Sequence, residues 1–415
     1  MMKPIETEPG SPSRGQKNIC LFFESEEFYK ACAEDPIKYR AYLIEEQRRH
    51  PELFPKAFAG GFTFHDSYQS SKQKGLVLRR VKLKQSREVF TLRPSFVLPY
   101  LIGRTQDVEK ALYLRQWDVP FEALAHVFGR DAMYWYRAWL AFGRPNLVGT
   151  TVRTPDRMPK HLVADEKITW LDRDEVSVPT TAGGGCLLGI SITENEDGAA
   201  LQAAYGEFAA EAAAVFPDYA PASVCTDGWK ATREAWRTIF PGIRLILCFL
   251  HSILKIRDRC MGELRHQILD KAWLVYQAAD KRSFSQRTRR LREWSRANLT
   301  GVAAEMVEKL CARYELFLPA YDCPGAARTS NAVDRLINIV DRHLYAMRYC
   351  HGAKKSARLA VRAMAMQWNF HPYGKRLCQD QPKRSSPFAD LNGFQYHENW
   401  LHNFLIASSM RGLRL

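Results

Sequence analysis

Three aspartates and one Cys–His pair are the residues of this sequence whose types and spacing could do chemistry. In Val224-Cys225-Thr226-Asp227-Gly228-Trp229-Lys230 an apolar strand ends on an acid, and a glycine frees the backbone beside it. The segment His161-Leu162-Val163-Ala164-Asp165 ends the same way, with Glu166 next in line. If that strand continued, Glu166 would point to the opposite face, so only one of the pair is expected at a given site. Two carboxylates at one mouth repel and raise each other's pKa unless a cation joins them. Mg²⁺ is the hard ion that takes few protein carboxylates and keeps its other positions for water and phosphate. Asp334, in Arg328-Thr329-Ser330-Asn331-Ala332-Val333-Asp334, is the third acid. A cap at Thr329 or Ser330 and an acid in the first turn also suit a helix with no catalytic role. Cys248-x-x-His251 falls where the strand Leu245-Ile246-Leu247 becomes a helix. As a zinc half-site it lacks a second pair, because Cys311 and Cys323 are too far apart for a knuckle and His266 stands alone. A structural or site-lining role is expected for it.

The composition narrows the partners. A chain of 415 residues with 46% hydrophobic content has material for two or three domains. Its formal charge of +15 coexists with 45 acids, which indicates a folded protein with basic surfaces and points to nucleic acid. The longest apolar runs, such as 245–250, fall far short of the ~20 residues of a spanning helix, so no membrane role is expected. Ten cysteines without a C-x-x-C pair suggest reduced thiols in a cytoplasm. Residues 1–18 are polar and rich in Pro, Gly and Ser, and read as a disordered leader without a signal peptide.

Several elements must position the acids. Residues 19–104 give two helices divided by Pro36 and then a β-hairpin in which Arg80, Lys82 and Lys84 share one face opposite Val81 and Leu83. That ridge could lie along phosphates, or be an ordinary solvated face. Residues 105–146 have the spacing of a helix-turn-helix, with Leu124, Ala125, Phe128, Trp135 and Ala138 inward and Asp131, Met133, Tyr136 and Arg137 outward to meet DNA, or of a plain helical hairpin packing on its neighbours. Residues 147–160 read as an extended linker. From 161 the order is three strands, helix, strand, helix, strand, helix, a mixed α/β pattern in which adjacent first and fourth strands would unite Asp165 and Asp227. A basic helical insertion at about 264–320 carries Arg289 and Arg290, which could track phosphates, and Trp273 and Trp294, which are expected to pack in a core although either could stack on an unpaired base. Residues 373–415 read as a docking segment against another subunit.

Taken together, these residues resemble a DDE/D transposase, of the Mutator-like superfamily and the bacterial insertion-sequence enzymes related to it. The likeness covers 161–372 and is carried by Asp165, Asp227-Gly228, Cys248-x-x-His251, the helical insertion and Thr329-x-Asn331-x-x-acid. It implies an RNase H-like catalytic domain, with Asp165, Asp227 and Asp334 as a triad holding two Mg²⁺ ions ~3.5–4 Å apart, or Mn²⁺ in their place. It further implies cleavage at the element's ends and transfer of the freed 3′-OH to target DNA, by a nucleoid-associated bacterial homo-oligomer acting on double-stranded DNA. Cys248 and His251 are then a family signature, and Lys230 would contact phosphate. The family usually has Glu where this chain has Asp334, so the helix must lie closer to the site. The competing expectations are a non-catalytic DNA-binding derivative and an RNase H-like nuclease that cuts without joining.

Overall fold

Two open mixed sheets organise the chain. The computed structural model describes residues 16–414 except 72, 74, 100 and 101, so most of the proposed leader lies outside the described residues. The first sheet holds β1 (Asn18–Leu21), β2 (Phe62–Gln69), β3 (Val77–Leu83) and β4 (Val89–Pro94) in the order β1-β4-β3-β2. The hairpin read from sequence is thus the middle of a four-stranded sheet. β1 joins it parallel to β4, and its first residue, Asn18, falls inside the span read as leader. Val81 and Leu83 share one face of β3, and they and Leu78 are buried in one core with the helices Glu26–Glu34 and Pro36–Arg49, which contribute Tyr29, Cys32, Tyr39 and Leu43.

The second sheet contains β5 (His161–Leu171), β6 (Asp174–Gly183), β7 (Cys186–Ile190), β8 (Ser223–Thr226) and β9 (Arg244–Leu247), ordered β7-β6-β5-β8-β9. β5, β6 and β7 run antiparallel, while β8 lies parallel to both β5 and β9. Each face has its own helices. Leu162, Ala164 and Val224 meet Leu201, Tyr205 and Phe208 of the helix Gly198–Ala213 and Trp236 of the helix Lys230–Ile239. Val163, Cys225 and Ile246 lie in a cluster with the helix Asn331–Ala346. That helix buries Val333, Leu336, Ile337, Val340 and Leu344, a single stripe at helical spacing. Each such side chain is worth about 1.5–3 kcal/mol on burial, so a charge at Val340 would unseat the helix that carries Asp334.

The helix Lys354–Phe370 runs through the centre of the molecule and is buried along most of its length. It comes so close to the turn after the helix Ala132–Leu140 that a Cβ at Gly143 would lie 2.1 Å from the Leu359 carbonyl oxygen. Trp139 donates its indole N–H to Gln367 (2.7 Å), and Gln367 donates to the Leu112 carbonyl (2.8 Å). The three helices Thr105–Arg115, Phe121–Phe128 and Ala132–Leu140 therefore share one core with the second sheet. Two residues beyond Gln367 the Asn369 amide accepts from Leu187 N and donates to Leu187 O, occupying both groups of Leu187 on β7.

Three expectations are corrected. Residues 147–160 are not an extended linker: Leu147–Thr151 is a helix buried throughout, capped by Asn146. Five residues are too few to display a helical period, and burial, not local pattern, holds them there. Residues 373–415 dock on their own chain: Trp400, Leu401, Phe404 and Leu405 of the helix Trp400–Ala407 lie in the main core. Buried Arg153 ties these two regions, donating to the carbonyls of Gly149 and Ala407 and to the Tyr396 hydroxyl. The helical insertion also begins earlier than expected, because its core already includes Phe249, Ile253 and Ile256 of the helix Phe249–Arg259. No helix among the described residues is long and apolar enough to cross a membrane.

Candidate acidic metal site

The acids meet where β8 stops and β5 does not. The parallel pairing of β5 with β8 is registered at Val163 and Cys225, and β8 ends one residue later at Thr226. β5 runs on to Leu171, so Asp165 is not a strand end; it pairs with Thr180 of β6 on one side and has no strand beside it on the other. Asp227 occupies that gap. Its Oδ1 accepts from Trp229 N at 2.8 Å, a local turn that fixes the carboxylate beside β5. Gly228 makes the turn at φ +91°, where any Cβ would lie 2.1 Å from Leu247 Cδ1.

Carboxylate oxygens of Asp165, Glu166 and Asp227 all lie within 4.8 Å of one another. Glu166 was expected to face away, and this is a correction. It does leave β5 on the Tyr205 face, where its Oε1 accepts from Tyr205 Oη (2.8 Å) and Thr232 Oγ1 (2.5 Å). Asp227 stands beyond the end of its strand, however, where both faces of the sheet open onto the same space. Face alternation applies within a sheet and loses its force at that rim. Burial, reinforced by the charges of Glu166 and Asp227, pushes the Asp165 carboxyl up to about 8, with His251 opposing. Burial likewise lifts Glu166 to about 7 against the hydrogen bonds from Thr232 and Tyr205. The set is all oxygen, partly desolvated and mutually repelling, which suits a hard divalent cation.

Asp334 is not part of that close group. Its Oδ2 accepts from Ser330 Oγ at 3.2 Å, so Ser330 serves this acid and does not cap the helix with its side chain. The Cys-x-x-His turn links the two halves. Cys248 N donates to Thr226 O (2.7 Å), and Cys248 Sγ accepts from Ser330 N (3.0 Å). His251 Nδ1 lies 3.4 Å from Ser330 Oγ. The thiol of Cys248 is drawn well below its ordinary range, first by a hydrogen bond from the buried Cys225 thiol and then, against burial, by His251 and Ser330. His251 is held protonated chiefly by Cys248, with Asp165 and Asp334 adding to the effect. His251 thus lies within electrostatic reach of both Asp165 and Asp334. Cys248 and His251 are engaged with Ser330 and with each other, and neither joins the group of potential metal donors among the described residues.

The remaining candidates are dispersed. Arg80 on β3 is locked to Asp66 of β2, an ion pair invisible without that strand, while Lys82 is half-buried and Lys84 exposed. Tyr136 was expected to face outward but is half-buried, edge-on to Phe121 and tilted against Trp139; Arg137 is exposed. Asp131 caps its helix by accepting from Tyr134 N. Lys230 pairs with Glu234 (3.7 Å) and Arg289 with Glu293 (3.6 Å), and Arg290 is exposed. Trp294 carries the Lys271 ammonium over its ring, and Trp273 sits edge-on to Tyr276. No protein-family model matches this chain, and no curated protein matches it at a significant level.

Proposed function

We propose that this chain is a DNA transposase of the insertion-sequence type, performing metal-dependent strand cleavage and strand transfer. The observation that carries the reading is the meeting of Asp165 and Asp227 at the rim of two neighbouring parallel strands, with Glu166 beside them. The strand order β7-β6-β5-β8-β9, antiparallel then parallel, supports an RNase H-like arrangement. The helical unit between β9 and the helix bearing Asp334 supports the interrupted form of that domain.

Asp165, Asp227 and Glu166 would hold Mg²⁺ or Mn²⁺, with Asp334 at the margin. When bound, the metal supplies Lewis acidity to the phosphoryl oxygens and lowers the pKa of an attacking hydroxyl. The chain's own groups set the frame. Tyr205 and Thr232 fix Glu166, the Trp229 amide fixes Asp227, and Ser330 fixes Asp334. Protonated His251 offsets the charge of Asp165 and Asp334. Water and a DNA 3′-OH use the same site in this reading, because both attack phosphorus in line.

The test is incubation of the full chain with a plasmid bearing the DNA that flanks its gene on both sides, in Mg²⁺, Mn²⁺ or EDTA. Metal-dependent nicking and joined products are expected, and Asp227→Asn abolishes both. Unchanged nicking by Asp227→Asn overturns the reading, and hydrolysis without joined product replaces it with a nuclease.

A further inference from the structure

Several cations stand on the helices that leave the acidic rim and have no carboxylate partner. The helix Lys230–Ile239 begins three residues after Asp227 and presents Arg233 and Arg237, one turn apart on one face. The helix Phe249–Arg259 carries His251 beside the acids and then Lys255 and Arg259 further along. Arg313 follows the helix Gly301–Ala312. It lines a groove with Ser252, Lys255, Arg259 and Lys309, and its charge also reaches Arg233.

Arg233 is half-buried, and its guanidinium is weakened first by burial and then by the charges of Arg237 and Arg313. Like charges have therefore been brought together from different elements. Lys309 is paired with Glu305, whose charge extends to Arg259, but Arg233, Arg237, Lys255, Arg259 and Arg313 make no ion pair among the described residues. Arg80, Lys230, Arg289 and Arg292 have an acid within ion-pair distance, whereas Arg137 and Arg290 have none among the described residues; what sets this group apart is that Arg233, Arg237 and Arg313 converge from different elements. A convergence of unneutralised cations costs folding stability and is relieved by a polyanion.

We infer that the groove between the helices Phe249–Arg259 and Gly301–Ala312, continued by Arg233 and Arg237, is the path of a DNA backbone leaving the acidic site. Lys255, Arg259 and Arg313 contact successive phosphates on it. From Ser252 to Arg259 the helix rises roughly 10 Å, and one DNA strand places a phosphate every ~3.4 Å of axis, which gives room for about three contacts. The direction of the path rests on the phosphoryl-transfer reading, which places the reacting phosphate at Asp165 and Asp227. The binding itself does not depend on catalysis.

The test uses the full chain in EDTA with a fluorescein-labelled duplex of arbitrary sequence, read by anisotropy across a series of KCl concentrations. The triple variant Lys255→Gln, Arg259→Gln, Arg313→Gln is expected to lower the slope of log affinity against log salt by about 2.7. At 0.1 M salt that corresponds to an affinity loss on the order of 10²-fold. All three side chains are exposed, so circular dichroism is expected to be unchanged, and Arg313→Lys is expected to keep the wild-type slope. A triple variant with wild-type slope and affinity overturns the inference, as does a larger loss from Arg289→Gln with Arg290→Gln. Binding is read in EDTA and nicking in Mg²⁺, so wild-type binding by the triple variant overturns the path whatever the nicking assay returns, and absence of nicking overturns the catalytic reading while leaving the binding result standing.

Discussion

Metal binding to the acidic rim is predicted to depend steeply on pH, with a magnitude set by two protons. Without metal, Asp165 titrates at about 8 and Glu166 at about 7, both raised by burial and by neighbouring acids. A cation that uses both carboxylates must expel whatever protons they hold. At pH 6 both are protonated, and the apparent affinity is reduced ~10³-fold relative to pH 9, about 4 kcal/mol. The number of protons released on binding falls from about two at pH 6 to about one at pH 7.5 and to near zero at pH 9. The sign of the stability effect is fixed as well. Both folded-state values lie above their unfolded ones, so the metal-free fold is favoured at low pH and loses that advantage as pH rises through 7 and then 8. Titration calorimetry with Mn²⁺, in pairs of buffers of different ionisation enthalpy, counts the protons directly. An affinity that is flat between pH 6 and pH 8, or release of well under one proton at pH 6, would show that these carboxylates do not hold the ion.

Asp165→Asn removes a buried acid from a repelling group, so at pH 8 in EDTA the variant is expected to melt above wild type while losing the upward shift that Mg²⁺ gives; a lower melting temperature contradicts the assigned electrostatics. Asp334→Glu restores one methylene of reach toward the rim and is expected to keep metal-dependent nicking within about tenfold of wild type, whereas Asp334→Ala loses on the order of 10²-fold; equal activity in all three removes Asp334 from the site. Cys248→Ala leaves the buried Ser330 N–H without its acceptor and is expected to cost about 1–3 kcal/mol in denaturant unfolding, with no loss of metal stoichiometry. A change in stoichiometry would make the Cys-x-x-His turn a ligand set.

The parts of the site that could be read from the chain are those in which local pattern and tertiary role coincide. Asp227 is followed by the one residue type that can make its turn at φ +91°, so an apolar strand, an acid and a glycine together announce the rim. Asp165 was found by its apolar run, although the strand continues six residues past it to Leu171. Glu166 was missed because strand periodicity assigns faces, whereas the site stands beyond the end of β8 where faces merge. An adjacent pair of acids opposite a strand terminus would have been the signal. Arg80 could be placed on an exposed ridge, but its partner Asp66 lies on β2, whose pairing is non-local. Residues 147–151 and the C-terminal helix were misjudged for a related reason. Their conformation is imposed by the core around Arg153, and nothing in their local sequence states where that core lies.

The amide of Asn369 has a consequence for assembly. An outer strand whose N–H and C=O groups are free is a template on which a second chain can continue the ladder. By occupying both groups of Leu187 from within the molecule, Asn369 ends the ladder at β7. At the opposite border the Arg244 guanidinium on β9 donates to the Asp322 carbonyl, and the short helix Leu318–Asp322 lies alongside. Edge-to-edge pairing is thereby hindered at Leu187 on one border and beside Arg244 on the other. A second copy of this chain would find helical surfaces or the N-terminal sheet more open to it than this border, and replacing Asn369 by leucine would free both groups of Leu187.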